Sequence, residues 1–314
     1  MYAYTGVAIL IERRRLVRLG RSTLVVSLPA DWIKKKGLKA GDVLTLVIED
    51  NYIKIVPDTS VSSEKVTVTI EVKGRVEGLY RAIIAAYIAG TDIIRITFEN
   101  NSLLYQIMKH VKTAMNQLIG LEIVEQRPNE MVLQTFISGS EQNPTELTKR
   151  LVGLISLMIG QLLEGDQLEY LQELENEVDK LYRLALRTLN SSSEPDIFVT
   201  NLLTSLEMTS DSLVPLAQSL GDGRKEVIDV LNIAKEVVDF LHSIESAGER
   251  LSEVDEKIEV LEMVEDEIEK RELDEKLKYR LMLFVHNLKN VLLMLHNMEV
   301  RDVVKKSKER KLVI

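Results

Sequence analysis

The sequence contains no cysteine, few aromatic residues and no long apolar run. The lack of cysteine excludes disulfides, thiolate zinc sites and thiol nucleophiles together. Aromatic residues make up 5% of the chain, with only 6 prolines and 15 glycines, which excludes collagen-like and low-complexity chains. The longest nearly apolar stretch, Leu151 to Leu163, is too short to span a bilayer. Because no signal-peptide pattern precedes it either, we expect a cytoplasmic protein without membrane insertion.

What the chain does contain is charge, distributed unevenly. Of its 314 residues, 45% are hydrophobic and 28% charged, as in a globular protein of two or three domains. Residues 1–57 carry ten Lys or Arg against five acids. Since the whole chain has a net charge of -9, the remainder has a net charge of -14. This asymmetry predicts that only the N-terminal part meets a polyanion.

The pattern of the first 58 residues predicts a small β-rich domain. Strands are expected at Leu16–Leu19 and Thr23–Leu28, then a short helix ended by Gly37, then a hairpin of Val43–Glu49 and Tyr52–Val56. So few large apolar side chains cannot form an adequate core alone. We therefore expect a second copy of the chain to complete this core, as in a homodimer.

The rest of the chain divides into a mixed part and a helical part. Residues 64–140 alternate strands and helices, which predicts a small α/β connecting domain that carries no chemical motif. Residues 145–305 predict six helices in two repeats, 145–220 and 224–305, divided at Gly221-Asp222-Gly223. The expected helices are Glu146–Leu163, Gln167–Asn190, Ile197–Leu220, Lys225–Ala247, Leu251–Lys270 and Glu272–Lys305.

Pairs of acids four residues apart lie beside the apolar seams of these helices. The second helix has Glu175 and Asp179, and the third has Glu207 and Asp211, in the same phase. With 49 acids in the chain, about eight such pairs are expected by chance, so a solvated acidic face is the ordinary interpretation. Two pairs in phase on successive helices favour a second interpretation, in which a cation bound between the helices offsets the repulsion between the carboxylates. Carboxylates suit Mg, Ca, Mn or Fe and accept Zn.

The second repeat keeps only part of this pattern. Glu262 and Asp266 take the same phase beside Leu261, and we predict them as further metal ligands. On the last helix, His286 and Asn290 stand where acids would be expected. Whether the second repeat binds metal is therefore left open by the sequence.

Four arginines near the first predicted strand are candidates for DNA binding. They are Arg14, Arg15, Arg18 and Arg21. A two-fold dimer would double them, giving about eight cations on one surface to neutralise phosphates and read guanines. The alternative is that they are solvated strand-edge charges that deter aggregation. The chain has no GxxxxGK[ST], GxSxG or HExxH motif, and we expect no enzymatic activity.

Two segments resemble known families. Residues 173–181, with 206–211, resemble the helical repeat of PhoU proteins, phosphate-uptake regulators built from two three-helix bundles. That resemblance implies an iron or zinc cluster held by Glu175, Asp179, Glu207 and Asp211. Gly20-Arg21-Ser22, Val25–Pro29, Trp32 and Gly37–Asp42 resemble an AbrB/MazE-type swapped-hairpin domain, which implies an intertwined DNA-binding dimer. The combination resembles archaeal PhoU-family regulators.

Together these observations predict a multidomain α+β protein. Its expected parts are a swapped-hairpin β domain, a small α/β middle domain and an all-α, PhoU-like pair of three-helix bundles. The predicted function is a dimeric transcriptional regulator of phosphate uptake that binds double-stranded DNA and senses through a bound metal. The alternative is an accessory protein that regulates a phosphate ABC transporter by contact with a subunit, without binding an operator.

Overall fold

A computed structural model shows an α+β protein in which helices predominate. It describes residues 13–21, 23–48, 53–57, 65–99, 101–137, 142–165, 168–192, 195–243 and 250–306. The chain divides into two compact units, which we call the head, Met1–Glu64, and the body, Lys65–Ile314. A separate boundary between an α/β domain and a helical domain stays a prediction, because both belong to the body. Among the described helices, none combines the length and the apolar character needed to cross a bilayer.

The described residues of the head form two antiparallel strand pairs and one short helix. Strands β1 (Val17–Leu19) and β2 (Thr23–Val25) pair antiparallel, and so do β3 (Leu44–Ile48) and β4 (Ile53–Pro57). Between them lies α1 (Ala30–Lys36), preceded by Pro29. Gly37 ends this helix at φ 67°, a left-handed conformation that glycine adopts without steric cost. The predicted turn at Asp50-Asn51 lies outside the described residues.

Apolar side chains of the head are left uncovered. Among the residues of the head whose side chains the structure describes, none is buried, and Trp32 is only half-buried. Ile48 is 75% exposed, and Val43 and Leu19 are nearly as accessible. So many large apolar groups in water are unusual for a folded unit and typical of a surface that another chain covers. This exposure agrees with the expectation that the head needs a second copy to complete its core.

The first part of the body is a sheet with helices. Its strand order is β5-β6-β8-β7, with β5 and β6 parallel and the other pairs antiparallel. Helix α2 forms the crossover between the parallel strands. The apolar core between the sheet and its helices includes buried Ile83, Ile94 and Ile107. The elements are β5 (Thr67–Val72), α2 (Leu79–Ile88), β6 (Ile93–Phe98), α3 (Leu104–Met115), β7 (Leu121–Arg127) and β8 (Glu130–Thr135). A turn closed by the Leu79 N–H and the Val76 carbonyl leads into helix α2.

The described residues from 142 onward form six α-helices, the second part of the body. They are α4 (Pro144–Glu164), α5 (Leu168–Asn190), α6 (Ile197–Leu220), α7 (Ile228–Ser243), α8 (Leu251–Lys270) and α9 (Glu275–Lys306). Helices α4, α5 and α6 pack on one another, α9 packs on α6 and α8, and α7 packs on α4. One continuous apolar cluster runs through all six. The division into two PhoU-like bundles therefore stays a prediction, and the predicted end of α7 at Ala247 lies outside the described residues.

Arg187 joins the helices to the sheet. Its side chain is 1% exposed, and its guanidinium donates to the carbonyls of Tyr87 (3.1 Å) and Thr91 (2.7 Å) and to Asp92 Oδ1 (2.9 Å). The guanidinium also lies 5.1 Å from the centroid of the Tyr87 ring. Asp92 in turn accepts a hydrogen bond from the Val66 N–H at the start of the sheet. One buried cation thus binds α5 to the end of α2 and to the residues that connect α2 to β6.

Arg187→Met tests the importance of this contact. The substitution leaves two carbonyls and one carboxylate without their donor, so we expect the free energy of unfolding to fall by about 3 kcal/mol. Urea unfolding followed by circular dichroism measures the change. Arg150→Met, on an exposed position of α4, is the matched control and should be nearly neutral. Equal midpoints for the two variants would show that the Arg187 contact contributes little.

Candidate metal centre and nucleic-acid interface

Helices α5 and α6 place four carboxylates along one seam. Buried Leu174 and Val178 precede Glu175 and Asp179 in α5, and buried Leu206 and Ser210 precede Glu207 and Asp211 in α6. Since each acid follows a residue whose side chain points into the core, its own side chain leaves the helix at the edge of the interface. The chain turns back after α5, so the two acid pairs run alongside each other in opposite directions.

Three of these carboxylates converge. Asp179, Glu207 and Asp211 each offer an oxygen, and these oxygens lie within 4.8 Å of one another. Two oxygens on the same Ca ion, each about 2.5 Å from it, are separated by no more than about 5 Å. The observed spacing therefore suits one shared cation. Among the described residues, no other group of three acids or histidines is as close.

Electrostatic repulsion and burial act together at this seam. Burial, followed by the charges of Asp211 and Asp179, raises the pKa of Glu207 from 4.5 to about 7. Burial also raises the pKa of Glu175, and the nearby charges of Asp179 and Asp211 add to that effect. The pKa of Asp211 is raised by burial and by Asp179. These charges link Glu175 to the other acids, but among the described residues only Asp179, Glu207 and Asp211 have oxygens that converge, so the structure brings together three of the four predicted ligands.

Arg183 is a part of this site that the sequence analysis missed. Its guanidinium donates to Asp179 Oδ2 at 2.6 Å and to Gln117 Oε1, just after the end of α3. Gln117 also donates weakly to Asn176 Oδ1 at 3.4 Å. The side chain of Arg183 is 16% exposed, and its charge lowers the pKa values of Glu175, Glu207 and Asp211 against the larger effect of burial. The Asp179-to-Arg183 spacing of four was the available signal.

The second repeat is arranged differently from the prediction. The side chain of Glu262 is 60% exposed, and Asp266 is also exposed. Among the described residues, no third acid or histidine lies close enough to both of them to share a metal ion. The buried seam of this stretch of α8 is Leu261, Val264 and Ile268, and its half-buried acid is Glu265, which lies between the two predicted ligands.

Lys289 accompanies Glu265 at this position. The lysine ammonium contacts the Glu265 carboxylate, and His286 Nδ1 lies 3.2 Å from Glu265 Oε1. The side chain of Lys289 is 13% exposed, and its ammonium is 3.9 Å from Glu262. Asn290 is half-buried on the same helix. A lysine thus lies where the sequence analysis allowed for a second metal site.

The four predicted DNA-binding arginines lie on and around the first hairpin of the head. Arg18 is the middle residue of β1, opposite Leu24 of β2, and Arg21 is in the turn between the strands. Arg14 and Arg15 come shortly before β1, and all four side chains are exposed. Because side chains alternate along a strand, Arg18 projects from the opposite face to Val17 and Leu19. Its cross-strand partner Leu24 shares the face of Arg18, whereas Val25 shares the face of Val17, so both faces of the hairpin carry exposed apolar side chains.

Comparison with known proteins gives one match. Residues 17–63 match the family model MazE_antitoxin, described as antidote-toxin recognition MazE, bacterial antitoxin. The matched segment includes Arg18 and Arg21 and begins after Arg14 and Arg15. No curated protein matched the chain, and neither did any solved structure. The head thus contains a MazE/AbrB-type domain, as predicted, and that type of domain is consistent with DNA-binding regulation.

Glu207→Gln tests the electrostatics of the acidic seam in metal-free protein. The folded state holds the Glu207 proton more tightly than the unfolded state, because its pKa is about 7 rather than 4.5. Stability from this group therefore decreases as the pH rises from 4.5 to 7. At pH 8 we expect Glu207→Gln to be more stable than the original protein by about 1–2 kcal/mol, a value reduced for partial exposure.

The same experiment has an internal control. At pH 4 the carboxyl is protonated in both states, so the difference in free energy of unfolding should vanish. Glu173→Gln, at an exposed position of α5, should show no such pH-dependent gain. A Glu207→Gln variant that is no more stable than the original protein at pH 8 would contradict the proposed burial of charge.

Proposed function

We propose that this protein is a DNA-binding transcriptional regulator rather than an enzyme. The observation that carries the proposal is the match of residues 17–63 to MazE, because that segment coincides with the cationic part of the chain. The exposed arginines of the first hairpin supply the charge that phosphates attract. The exposed apolar residues of the head supply a surface for a second copy.

In the proposed arrangement, two heads form a homodimer and bind a two-fold symmetric stretch of double-stranded DNA. Arg14, Arg15, Arg18 and Arg21 of both copies then present about eight cations to the duplex. Most of these contacts neutralise phosphates and fix the register, and a minority read guanine bases. The two-fold symmetry of the protein predicts a pseudo-palindromic operator.

The helical part of the body, in this proposal, binds a metal ion through Glu175, Asp179, Glu207 and Asp211. The convergence of three carboxylate oxygens within 4.8 Å supports it. Such oxygens are hard ligands that suit Mg, Ca, Mn or Fe and accept Zn, whereas iron or zinc is what the PhoU resemblance implies. The ion would supply positive charge that offsets the repulsion between the acids. Glu262 and Asp266 are not part of the proposed site.

Regulation of phosphate uptake is the biological role we propose, on the resemblance of residues 173–181 and 206–211 to the PhoU repeat. Sensing requires that the ligand binds two states of the protein with different affinity. Arg183 is the residue through which we propose the bound state is sensed. It contacts Asp179 at the seam and Gln117 in the α/β layer, so a cation that replaces it at Asp179 changes both contacts.

The alternative function is an accessory protein that regulates a phosphate transporter by contact with one of its subunits. In that case the head serves only to dimerise the chain. The exposed apolar residues of the head favour dimerisation equally in both cases, so DNA binding is what separates them.

Replacing Arg14, Arg15, Arg18 and Arg21 with alanine tests the DNA-binding proposal. We expect the original protein to bind a mixed-sequence duplex with an affinity that falls steeply with salt, because each phosphate contact releases counterions. The variant should lose about a hundredfold in affinity at low salt and show a flatter salt dependence. Fluorescence anisotropy of a labelled duplex, at a series of salt concentrations, measures both quantities.

A variant with the same change in charge is the control. It replaces four exposed cations of the α/β layer with alanine: Arg75, Arg81, Lys109 and Lys112. We expect its affinity and salt dependence to match those of the original protein. If the original protein fails to bind duplex DNA at low salt, the regulator is excluded and the accessory function remains.

Elemental analysis of the purified protein tests the metal site. Glu207→Ala combined with Asp211→Ala removes two of the four proposed ligands, so we expect the metal-to-protein ratio to fall about tenfold or more. Glu262→Ala combined with Asp266→Ala removes the same charge from exposed positions and should retain the metal. Unchanged metal content in the first variant would exclude the α5–α6 site.

A further inference from the structure

Strand β5 lies at one edge of the sheet in the body. It pairs with β6, and no other strand among the described residues adjoins it. The Val66 carbonyl, just before β5, accepts a hydrogen bond from the Ile93 N–H of β6. In a parallel pair the main-chain groups of alternate residues face the neighbouring strand, so those of Thr67, Thr69 and Glu71 face outward. Each of these three residues therefore offers a main-chain donor and a main-chain acceptor to a further strand.

The two edges of this sheet differ in how strongly they resist pairing. The opposite edge, β7, has an irregular register between Ile123 and Glu125, and it also contains the charged residues Glu122 and Arg127. Bulges and charges on an edge strand discourage the addition of another strand. In contrast, residues 67–70 of β5 are all β-branched and uncharged, and the register of β5 with β6 is continuous. Of the two edges, β5 is thus the one suited to accept a further strand.

The connection to the head favours a second copy of the chain as the source of that strand. Domains of the MazE/AbrB type dimerise, and residues 17–63 match this family. Strand β4 ends at Pro57 and β5 begins at Thr67, so nine residues connect them. Nine residues reach at most about 30 Å. A dimer of heads therefore keeps two β5 strands at a high local concentration, which makes their pairing nearly intramolecular.

We propose that the β5 strands of two copies pair antiparallel about a two-fold axis at Thr69, so that two four-stranded sheets form one of eight strands. This inference rests on the proposed dimer of heads. In this register Thr69 lies opposite the partner's Thr69, and Thr67 lies opposite the partner's Glu71. All the outward main-chain groups of the strand are then paired. Within the strand, no two like charges lie directly opposite each other.

The same register continues the apolar side of the sheet from one copy to the other. Val68 and Ile70 are half-buried and pack against the core between the sheet and its helices. An axis at Thr69 places Val68 opposite the partner's Ile70, so both apolar side chains gain a cross-strand neighbour. The first residues of the two strands then lie about 14 Å apart, since four residues of strand separate them. The pairing thus fixes the separation of the two connections that lead to the heads.

Disulfide cross-linking of the full chain tests this register, because the protein has no cysteine of its own. Thr69→Cys places two thiols on the axis with their Cα atoms about 5.5 Å apart, within the range of a disulfide. We expect mild oxidation to give a covalent dimer on a non-reducing gel. Thr67→Cys, at an exposed position on the same face of the strand, is the matched control. Its Cα atoms would lie about 14 Å apart, so we expect cross-linking to be about tenfold slower or less.

A double variant tests the register a second time. Thr67→Cys combined with Glu71→Cys places each new thiol opposite the other kind in the partner, so we expect cross-linking to return. Failure of this double variant to cross-link would overturn the axis at Thr69.

Sedimentation under reducing conditions separates this proposal from the dimer of heads on which it rests. We expect every variant to be a dimer without any cross-link, because the heads hold the copies together. A dimer in which Thr69→Cys cross-links no faster than Thr67→Cys would overturn the β5 pairing and leave the dimer of heads standing. A monomeric protein would exclude the dimer of heads, and with it the β5 pairing.

Discussion

Like charges held together by apolar packing are the constraint around which the helical part of this protein is organised. The free energy that brings α5 and α6 together comes from burying leucine and valine side chains along their seam. The acids that follow these residues in the sequence are carried to the edge of the same seam and cannot separate unless the helices do. Their repulsion appears as raised pKa values, most strongly at Glu207. A site of this kind attracts a positive partner, whether a proton, a side chain or an ion.

The two halves of the helical part meet this constraint with different cations. At the α5–α6 seam, Arg183 binds Asp179 from four residues along the same helix and reaches Gln117 as well. One guanidinium set against four carboxylates leaves net negative charge. At the α8–α9 pair, Lys289 comes from the opposite helix and contacts Glu265, with Glu262 at 3.9 Å. There a single ammonium is set against one half-buried acid and its exposed neighbour. The two seams therefore differ in how much negative charge their cation leaves unpaired, and more is left at the α5–α6 seam.

The sequence predicted elements better than it predicted partners. Helices α6 and α8 have the predicted bounds, because each is a long periodic apolar pattern between clear breaks. The four acids at the α5–α6 seam were also predicted together, since two pairs in phase on neighbouring helices must face the same groove. Arg183, Arg187 and Lys289 were not predicted. Their partners, Gln117, Asp92 and Glu265, are 66, 95 and 24 residues away, and no local pattern specifies such contacts.

The different arrangement of the acids in α8 has a similar physical origin. Glu262, Asp266 and Glu265 all lie beside the apolar stripe of α8. The sequence alone does not show which part of that stripe packs against α9. Packing decides this: Leu261, Val264 and Ile268 are all buried, but only the acid after Val264 is covered by a neighbouring helix. Single-helix periodicity therefore assigns a face, and only the crossing of two helices assigns the turn at which that face is covered.

Helix α5 is the element in which the separate features of the body meet. Over three successive turns it presents Asp179 to the acidic seam, Arg183 to both the seam and Gln117, and Arg187 to the turns around Tyr87 and Asp92. Arg187 is buried and has several acceptors, so it fixes α5 to the α/β layer. Arg183 is more exposed and shares its donors between two partners, so its position depends on the charge at the seam. Two arginines on successive turns of α5 thus bind the α/β layer, one through a buried contact and one through a contact that it shares with the acidic seam.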